Sequence, residues 1–262
     1  MNAARNHEAT IETPAIEFDH ASYHLNRRPL LHDLALSVRQ GETLVLLGRS
    51  GSGKTTTLKL INRLLLPTAG EVRVKGRRTA DWDPIRLRRS IGYVIQDGGL
   101  FPHYTVERNI ALVPRVEKWE QTRVEQRVRE LLTTVGLSTD LASRYPGQLS
   151  GGQRQRVGVA RALAADPPIL IMDEPFGALD PITRSEMQKE FRVLQRRMQK
   201  AVVFVTHDLR EALFLADRIA LMEDGRLIVD VPVAEFSGCA DPLARAYVEA
   251  FSGLPEPDSG AR

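Results

Sequence analysis

Cysteine is nearly absent: Cys239 stands alone in 262 residues, so no disulfide can close within the chain and no multi-cysteine metal site can form. A large charge of either sign is missing too. The formal net charge is +3, too small to demand a nucleic-acid partner, and none is expected. The first seventeen residues mix charged and polar side chains with no apolar core of the kind a secretory leader needs. Long apolar runs are missing as well: residues 44–47, 169–172 and 201–205 are the longest, and each is of strand length, so no segment is expected to span a bilayer. These absences make the chain read as soluble and cytoplasmic. No internal repeat is visible, which sets aside solenoids and propellers.

What remains is an ordinary globular composition, 42% hydrophobic and 26% charged, long enough for one large α/β domain or a core with an inserted subdomain. Residues 16–18 and 34–38 alternate as strands do, and residues 43–47 form a short apolar run of the buried-strand type. A helix is expected over 55–65, a turn at Pro67-Thr68-Ala69-Gly70, and another strand over 71–75. From about Asp81 to Arg161 the character becomes helical, with Val124, Val128, Leu131, Leu132 and Val135 on one face. Strand and helix then alternate: strands over 169–172, 201–205 and 219–222, helices over 183–198 and 209–216. That order predicts a mostly parallel sheet covered by helices. The resulting division is an N-terminal β part over 1–80, a helical subdomain over 81–161, the rest of the core over 162–240 and a tail over 241–262. Residues 254–262, with Pro255 and Pro257, read as disordered.

Two stretches suit the same phosphate group. Gly48-Arg49-Ser50-Gly51-Ser52-Gly53-Lys54-Thr55, followed by Thr56, sits between an expected strand and an expected helix and fits a loop whose glycines turn backbone N–H groups toward β- and γ-phosphates. Lys54 supplies a point charge there, and the Thr55 hydroxyl suits Mg²⁺, which prefers oxygen ligands. Leu149-Ser150-Gly151-Gly152-Gln153 offers a second anion site at a helix start. If both grip one nucleotide, the simplest geometry has two copies facing each other.

The strand at 169–172 runs straight into Asp173 and Glu174, at the sheet edge where open α/β folds bind ligands. Asp173 is a candidate Mg²⁺ ligand; Glu174, one step along the pleat, is a candidate general base. The bland alternative is an acidic cap for the next helix. His207 follows another buried strand and lies along the same edge, as a site residue or a plain loop histidine. Gln96 ends an apolar run, where a neutral amide can orient water or touch Mg²⁺. Tyr23 either stacks on a base or packs in the core. The arginine clusters 77–78, 86–89 and 196–197 read as solvated faces.

Together these residues resemble the nucleotide-binding subunits of ABC transporters over most of the chain, within a domain of 16–250. The resemblance implies a P-loop NTPase core of the ABC type, with an antiparallel β part and an inserted helical subdomain. It also implies binding and hydrolysis of ATP with Mg²⁺ in a sandwich dimer. In its terms Tyr23 is the adenine-stacking aromatic, residues 48–55 are the Walker A loop, and Thr56 joins them in binding nucleotide. Gln96 is the Q-loop glutamine, touching Mg²⁺ and water, and residues 149–153 are the signature, with Ser150, Gly151, Gly152 and Gln153 reaching the partner's nucleotide. Asp173 and Glu174 are the Walker B pair, Asp180 belongs to the D-loop, and His207 is the switch histidine. The segment Gly92-Tyr93-Val94-Ile95-Gln96-Asp97-Gly98-Gly99-Leu100-Phe101-Pro102-His103 is similar to the osmoprotectant importers of glycine betaine, choline and carnitine. That likeness implies membrane permease subunits and, through them, a substrate-binding protein, with this subunit peripheral on the cytoplasmic face. In one respect the chain departs from many members of that group: no tandem CBS modules follow the core within these 262 residues. Other cargoes, such as an amino acid, a phosphonate or a lipid, are the first alternative. A soluble ABC ATPase acting on nucleic acid is the second.

Overall fold

Every residue of the strand β3 (Thr43–Leu47) is buried, and its side chains alternate between two separate cores. Val45 and Leu47 enter one core, Leu44 and Leu46 the other. A strand buried on both faces has no polar side, which is why its sequence is a continuous apolar run. In the computed structural model, which describes residues 13–96 and 98–252, β3 sits inside a six-stranded sheet of order β10-β9-β3-β8-β7-β6. Its members are β6 (Ile91–Val94), β7 (Ile169–Asp173), β8 (Ala201–Thr206), β9 (Arg218–Glu223) and β10 (Arg226–Pro232). All neighbours pair parallel except β9 and β10.

A second, antiparallel sheet of order β2-β1-β4-β5 covers one face of the first. It comprises β1 (Ile16–Leu25), β2 (Arg28–Val38), β4 (Ala69–Val74) and β5 (Arg77–Arg78). Its Ile16, Phe18, Leu34, Val72 and Val74 pack with Leu44 and Leu46 and with Leu58 and Ile61 of the helix α1 (Lys54–Ile61). Both β1 and β2 are longer than the alternation suggested. They join at Asn26 and Arg27, each with positive φ (50° and 65°), the twist a two-residue hairpin turn requires. The helix α1 stops short of the expected residue 65, because Arg63 takes a left-handed φ of 55°.

Most of the remaining helices cover the opposite face, and Leu87 of the first of them packs instead in the core shared with the antiparallel sheet. In chain order the remaining helices are α2 (Pro84–Arg89), α3 (Val106–Ile110), α4 (Leu112–Val116), α5 (Gln121–Thr134), α6 (Gly151–Leu163), α7 (Pro181–Met198), α8 (Leu209–Leu215), α9 (Val233–Phe236) and α10 (Pro242–Ser252). The stripe Val124, Val128, Leu131 and Leu132 of α5 is buried against the same core as Val157 and Leu163 of α6, as its spacing predicted.

Two expectations about the division of the chain also change. The helical stretch 81–161 contains β6, which pairs in register with β7 (Tyr93↔Ile171) and so belongs to the core sheet. Residues 242–252, read as tail, form α10, with Ala244 fully buried. The expectation for 254–262 lies outside the described residues.

Candidate functional site

The loop between β3 and α1 closes around its own lysine. Lys54, 4% exposed, directs Nζ to the carbonyl oxygens of Gly48 and Arg49, at 2.7 Å each, and to Ser52 Oγ at 3.3 Å. Burial lowers the pKa of this ammonium, and the nearby Glu174 and Asp173 carboxylates oppose that shift. Gly53 has φ 101°, and a Cβ there would lie 2.7 Å from Leu31 Cδ2, so only glycine fits. A tight turn between β9 and β10 braces the loop: Gly225 N–H donates to Ser52 O at 3.1 Å, and Gly225 O accepts from His32 N–H at 2.9 Å. Its Asp224-Gly225 sequence is a strong hairpin signal that the sequence reading passed over.

Three parallel strands bring the polar residues to one sheet edge. Thr55 Oγ1 donates to Asp173 Oδ1 at 3.1 Å. The Tyr93 hydroxyl, from β6, lies near Asp173; its pKa is pushed up to about 12, chiefly by burial and then by the charge of that carboxylate. Burial likewise raises Asp173, opposed by the Thr55 hydrogen bond and increased by the charge of Glu174. Tyr93 was not singled out from the sequence. Its only signal is register, since Tyr93 lies opposite Ile171, two residues before Asp173.

Glu174 does not continue the pleat. The strand ends at Asp173, and Glu174 turns off with a left-handed φ of 44° while its N–H still donates to Val205 O at 3.1 Å. Positive φ in a non-glycine residue costs free energy and concentrates at functional sites. The turn brings Glu174 Oε2 to 3.1 Å from His207 Nδ1, with the carboxylate 25% and the ring 61% exposed. For Mg²⁺ the residues fit in part: Thr55 and Asp173 offer paired oxygens, and among the described residues no cluster of three or more His, Cys, Asp or Glu could cage a metal. Mg²⁺ typically takes one or two protein oxygens and completes its shell with phosphate and water, which matches this donor set.

Arg49, Ser50, Glu174 and His207 line one side of an open cleft of about 510 Å³; Leu243, Ala246, Tyr247 and Ala250 of α10 line the other. A volume of this order suits a small-molecule ligand. The sequence reading missed this wall, although 243, 246, 247 and 250 have helical spacing.

The remaining predicted residues lie elsewhere. Ser150 is the N-cap of α6: its Oγ accepts from Gln153 N–H at 3.2 Å while Gln153 Oε1 accepts from Ser150 N–H at 3.0 Å, a reciprocal capping box. Gly152 is buried where a Cβ would meet Thr183 at 2.7 Å, while Gly151 is exposed beside Leu179. None of residues 149–153 lines the cleft. Asp180 caps α7, accepting from the N–H groups of Ile182 and Thr183 at 3.1 Å each, and hydrogen bonds to Thr183 lower its pKa. Gln96 is exposed. Tyr23 is half-buried against the core, in register with Leu31, the residue that packs on Gly53. Thr56, half-buried on α1, adds no hydrogen bond.

Known proteins resemble this chain in sequence and in fold. The sequence pattern of the ABC transporter family matches residues 31–177. The choline transport ATP-binding protein OpuBA of Bacillus subtilis (strain 168) is 50% identical over 219 residues, 83% of this chain and 58% of that protein. The glycine betaine/carnitine/choline transport ATP-binding protein OpuCA of the same organism is 52% identical over 198 residues, 76% of this chain and 52% of that protein. The chain thus spans between half and three-fifths of the length of these two relatives. Among solved structures, a dimeric post-hydrolysis state of the ATP-binding cassette MJ0796 bound to ADP and Pi superposes with a TM-score of 0.74 at 35% identity, covering 83% of this chain and 98% of that one. With the family pattern covering more than half of its length and that cassette sharing its fold, the chain belongs to the ABC transporter family.

Proposed function

We propose that this chain is the ATP-binding and ATP-hydrolysing subunit of an importer for a quaternary-amine osmoprotectant of the glycine betaine or choline type. The observation that carries the ATPase part is the meeting of Glu174 and His207, 3.1 Å apart, on the cleft formed by the phosphate-type loop. The similarity to OpuBA and OpuCA supports the cargo.

In this reading Tyr23 stacks on the adenine. The amides of Gly48, Arg49, Ser50, Gly51, Ser52 and Gly53, with Lys54, Thr55 and Thr56, receive the phosphates. Lys54 exchanges its bonds to the Gly48 and Arg49 carbonyls for phosphate oxygens, which are charged and so make stronger hydrogen bonds. When bound, Mg²⁺ would neutralise charge on the phosphates, and Thr55, Asp173 and Gln96 would hold it. Glu174 takes the proton of the attacking water, and His207 holds Glu174 in place and contacts the γ-phosphate. General-base assistance is worth about 10²–10⁴-fold, roughly 3–5 kcal/mol of barrier.

The separation of residues 149–153 from the cleft supports completion by a second copy, whose Ser150, Gly151, Gly152 and Gln153 would face this copy's nucleotide beside Asp180. ATP drives closure only through a greater affinity for the closed pair. Closure and reopening would move membrane permease subunits docked on the cytoplasmic face, loaded by a substrate-binding protein. The test is ATPase activity in liposomes containing this chain, its permease and the binding protein. Stimulation by choline or glycine betaine is expected. ATP turnover that no quaternary amine stimulates would remove the cargo and leave the ATPase.

A further inference from the structure

Behind the Glu174–His207 pair lies a second, smaller cavity of about 40 Å³, walled by Glu174, Gly177, Arg184, Thr206, His207 and Glu211. It is polar and large enough for water. Glu211, in the first turn of α8, is only 5% exposed. Gln188 Nε2 of α7 donates to Glu211 Oε1 at 3.0 Å, and Thr206, which lines the same cavity, is close enough to help hold the carboxyl's pKa down. The Thr206 hydroxyl accepts from Asp208 N–H at 3.0 Å, so it bridges the residues on either side of His207. On the facing wall, Arg184 Nε donates to Phe176 O at 3.2 Å, and its Nη2 to Gly177 O at 3.3 Å and Leu179 O at 3.0 Å, holding the turn that follows Glu174.

Burial raises the pKa of Glu211; Thr206, the Gln188 hydrogen bond and the charge of Arg184 oppose the shift, and Asp208 adds to it. Replacing a buried charged group by an apolar one of similar size is often neutral or stabilising, so stability alone gives no reason for an acid at this position. Its surroundings give one: with Thr206, His207 and Asp208 it walls the cavity behind the Glu174–His207 pair.

We infer that Glu211 is a positioning residue for the ATPase reaction: through Thr206 it fixes the turn that aims His207 at Glu174, while Arg184 fixes the turn on the other side of the same cavity. The inference rests on the ATPase reading above. Although Thr206 is the β8 partner of Leu47 through the backbone, among the described residues no hydrogen bond joins the Glu211 or Thr206 side chain to residues 48–55, so losing this link should misplace the pair without weakening nucleotide binding.

The experiment measures steady-state ATP turnover and fluorescent-ATP binding for the full chain, as wild type, Glu211→Leu and Thr206→Val. Misplacement of a reacting group by an ångström costs up to about 100-fold, so kcat is expected to fall about tenfold or more in Glu211→Leu and severalfold in Thr206→Val. KM and the nucleotide Kd should stay within about twofold in both, because ground-state binding is untouched. Should Glu211→Leu fail to fold, the near-isosteric Thr206→Val decides by itself. Unchanged kcat, or a loss confined to KM, overturns the inference. A wild-type chain without ATP turnover would overturn the parent reading instead, so the two failures are distinguishable.

Discussion

Glu174 and His207 lie 33 residues apart in the chain, yet their side chains meet at 3.1 Å, because β7 and β8 are parallel neighbours that end at the same sheet edge. The carboxylate points to the ring through the left-handed turn at Glu174. Replacing Glu174 by Gln keeps that shape and removes the base. Turnover is expected to fall by about 10²–10⁴-fold while ATP still binds, and gel filtration with ATP should show a stable dimer. Wild-type turnover in Glu174→Gln would end the general-base assignment.

A composite site between two copies makes a sharper demand. Lys54→Ala disables one copy's loop and Ser150→Arg disables the other copy's contribution, so each homodimer is dead. A mixed pair keeps one intact site, and with random two-fold pairing an equal mixture should recover about a quarter of wild-type activity. No recovery at any ratio would count against completion of the site by a second copy.

The hydroxyl of Tyr93 lies close enough to Asp173 for the carboxylate to raise its pKa, beside the Thr55 hydrogen bond to the same group. Removing a partner of a metal-ligating carboxylate typically costs 10–100-fold in metal affinity, so Tyr93→Phe should raise the half-activating Mg²⁺ concentration about tenfold. Nucleotide binding measured without Mg²⁺ should not move, and an unchanged Mg²⁺ titration would count against Asp173 as the ligand.

Far from the site, the nearly buried Lys200 donates to Asp166 Oδ1 at 2.7 Å and to Pro167 O at 2.6 Å. The hydrogen bond from Lys200 holds the Asp166 carboxyl below its usual range. A depressed folded-state value means the stabilisation is complete above the unfolded value of about 3.9 and is lost as pH falls through the folded one. Asp166 is largely solvated, so Asp166→Asn should cost no more than about 1 kcal/mol at pH 7. Paired thermal melts should show that gap closing as the buffer falls below about pH 4; a gap independent of pH would mean the carboxylate charge contributes nothing.

The parts of the chain that could be read in advance are those whose environment is uniform. β3, β7 and β8 are buried on both faces, so they appear as bare apolar runs, and the loop and acids at their ends could be placed on one edge before any coordinates. Local hydrogen bonding was legible in kind but not in use: Ser150 and Asp180 stood out as ligand candidates, and each is also the N-cap of its helix. What stayed hidden depended on register or on distant packing. β6 is four residues long and follows the basic α2; the apolar run that ends at Gln96 was visible, but nothing local showed that it pairs with β7 in the core sheet. Tyr93 comes close to Asp173 only because two strands pair as they do. Glu211 looks like any helix-surface acid until α7 covers it.

The wall that α10 builds across the main cleft also offers an optical handle. Ala250 is exposed and lines the opening opposite Glu174 and His207, and Cys239 is the chain's only thiol. A Cys239→Ser, Ala250→Cys chain would therefore carry one dye at the mouth of the site. Its emission would follow nucleotide arrival and pairing of copies in real time, with no change to any residue that handles phosphate.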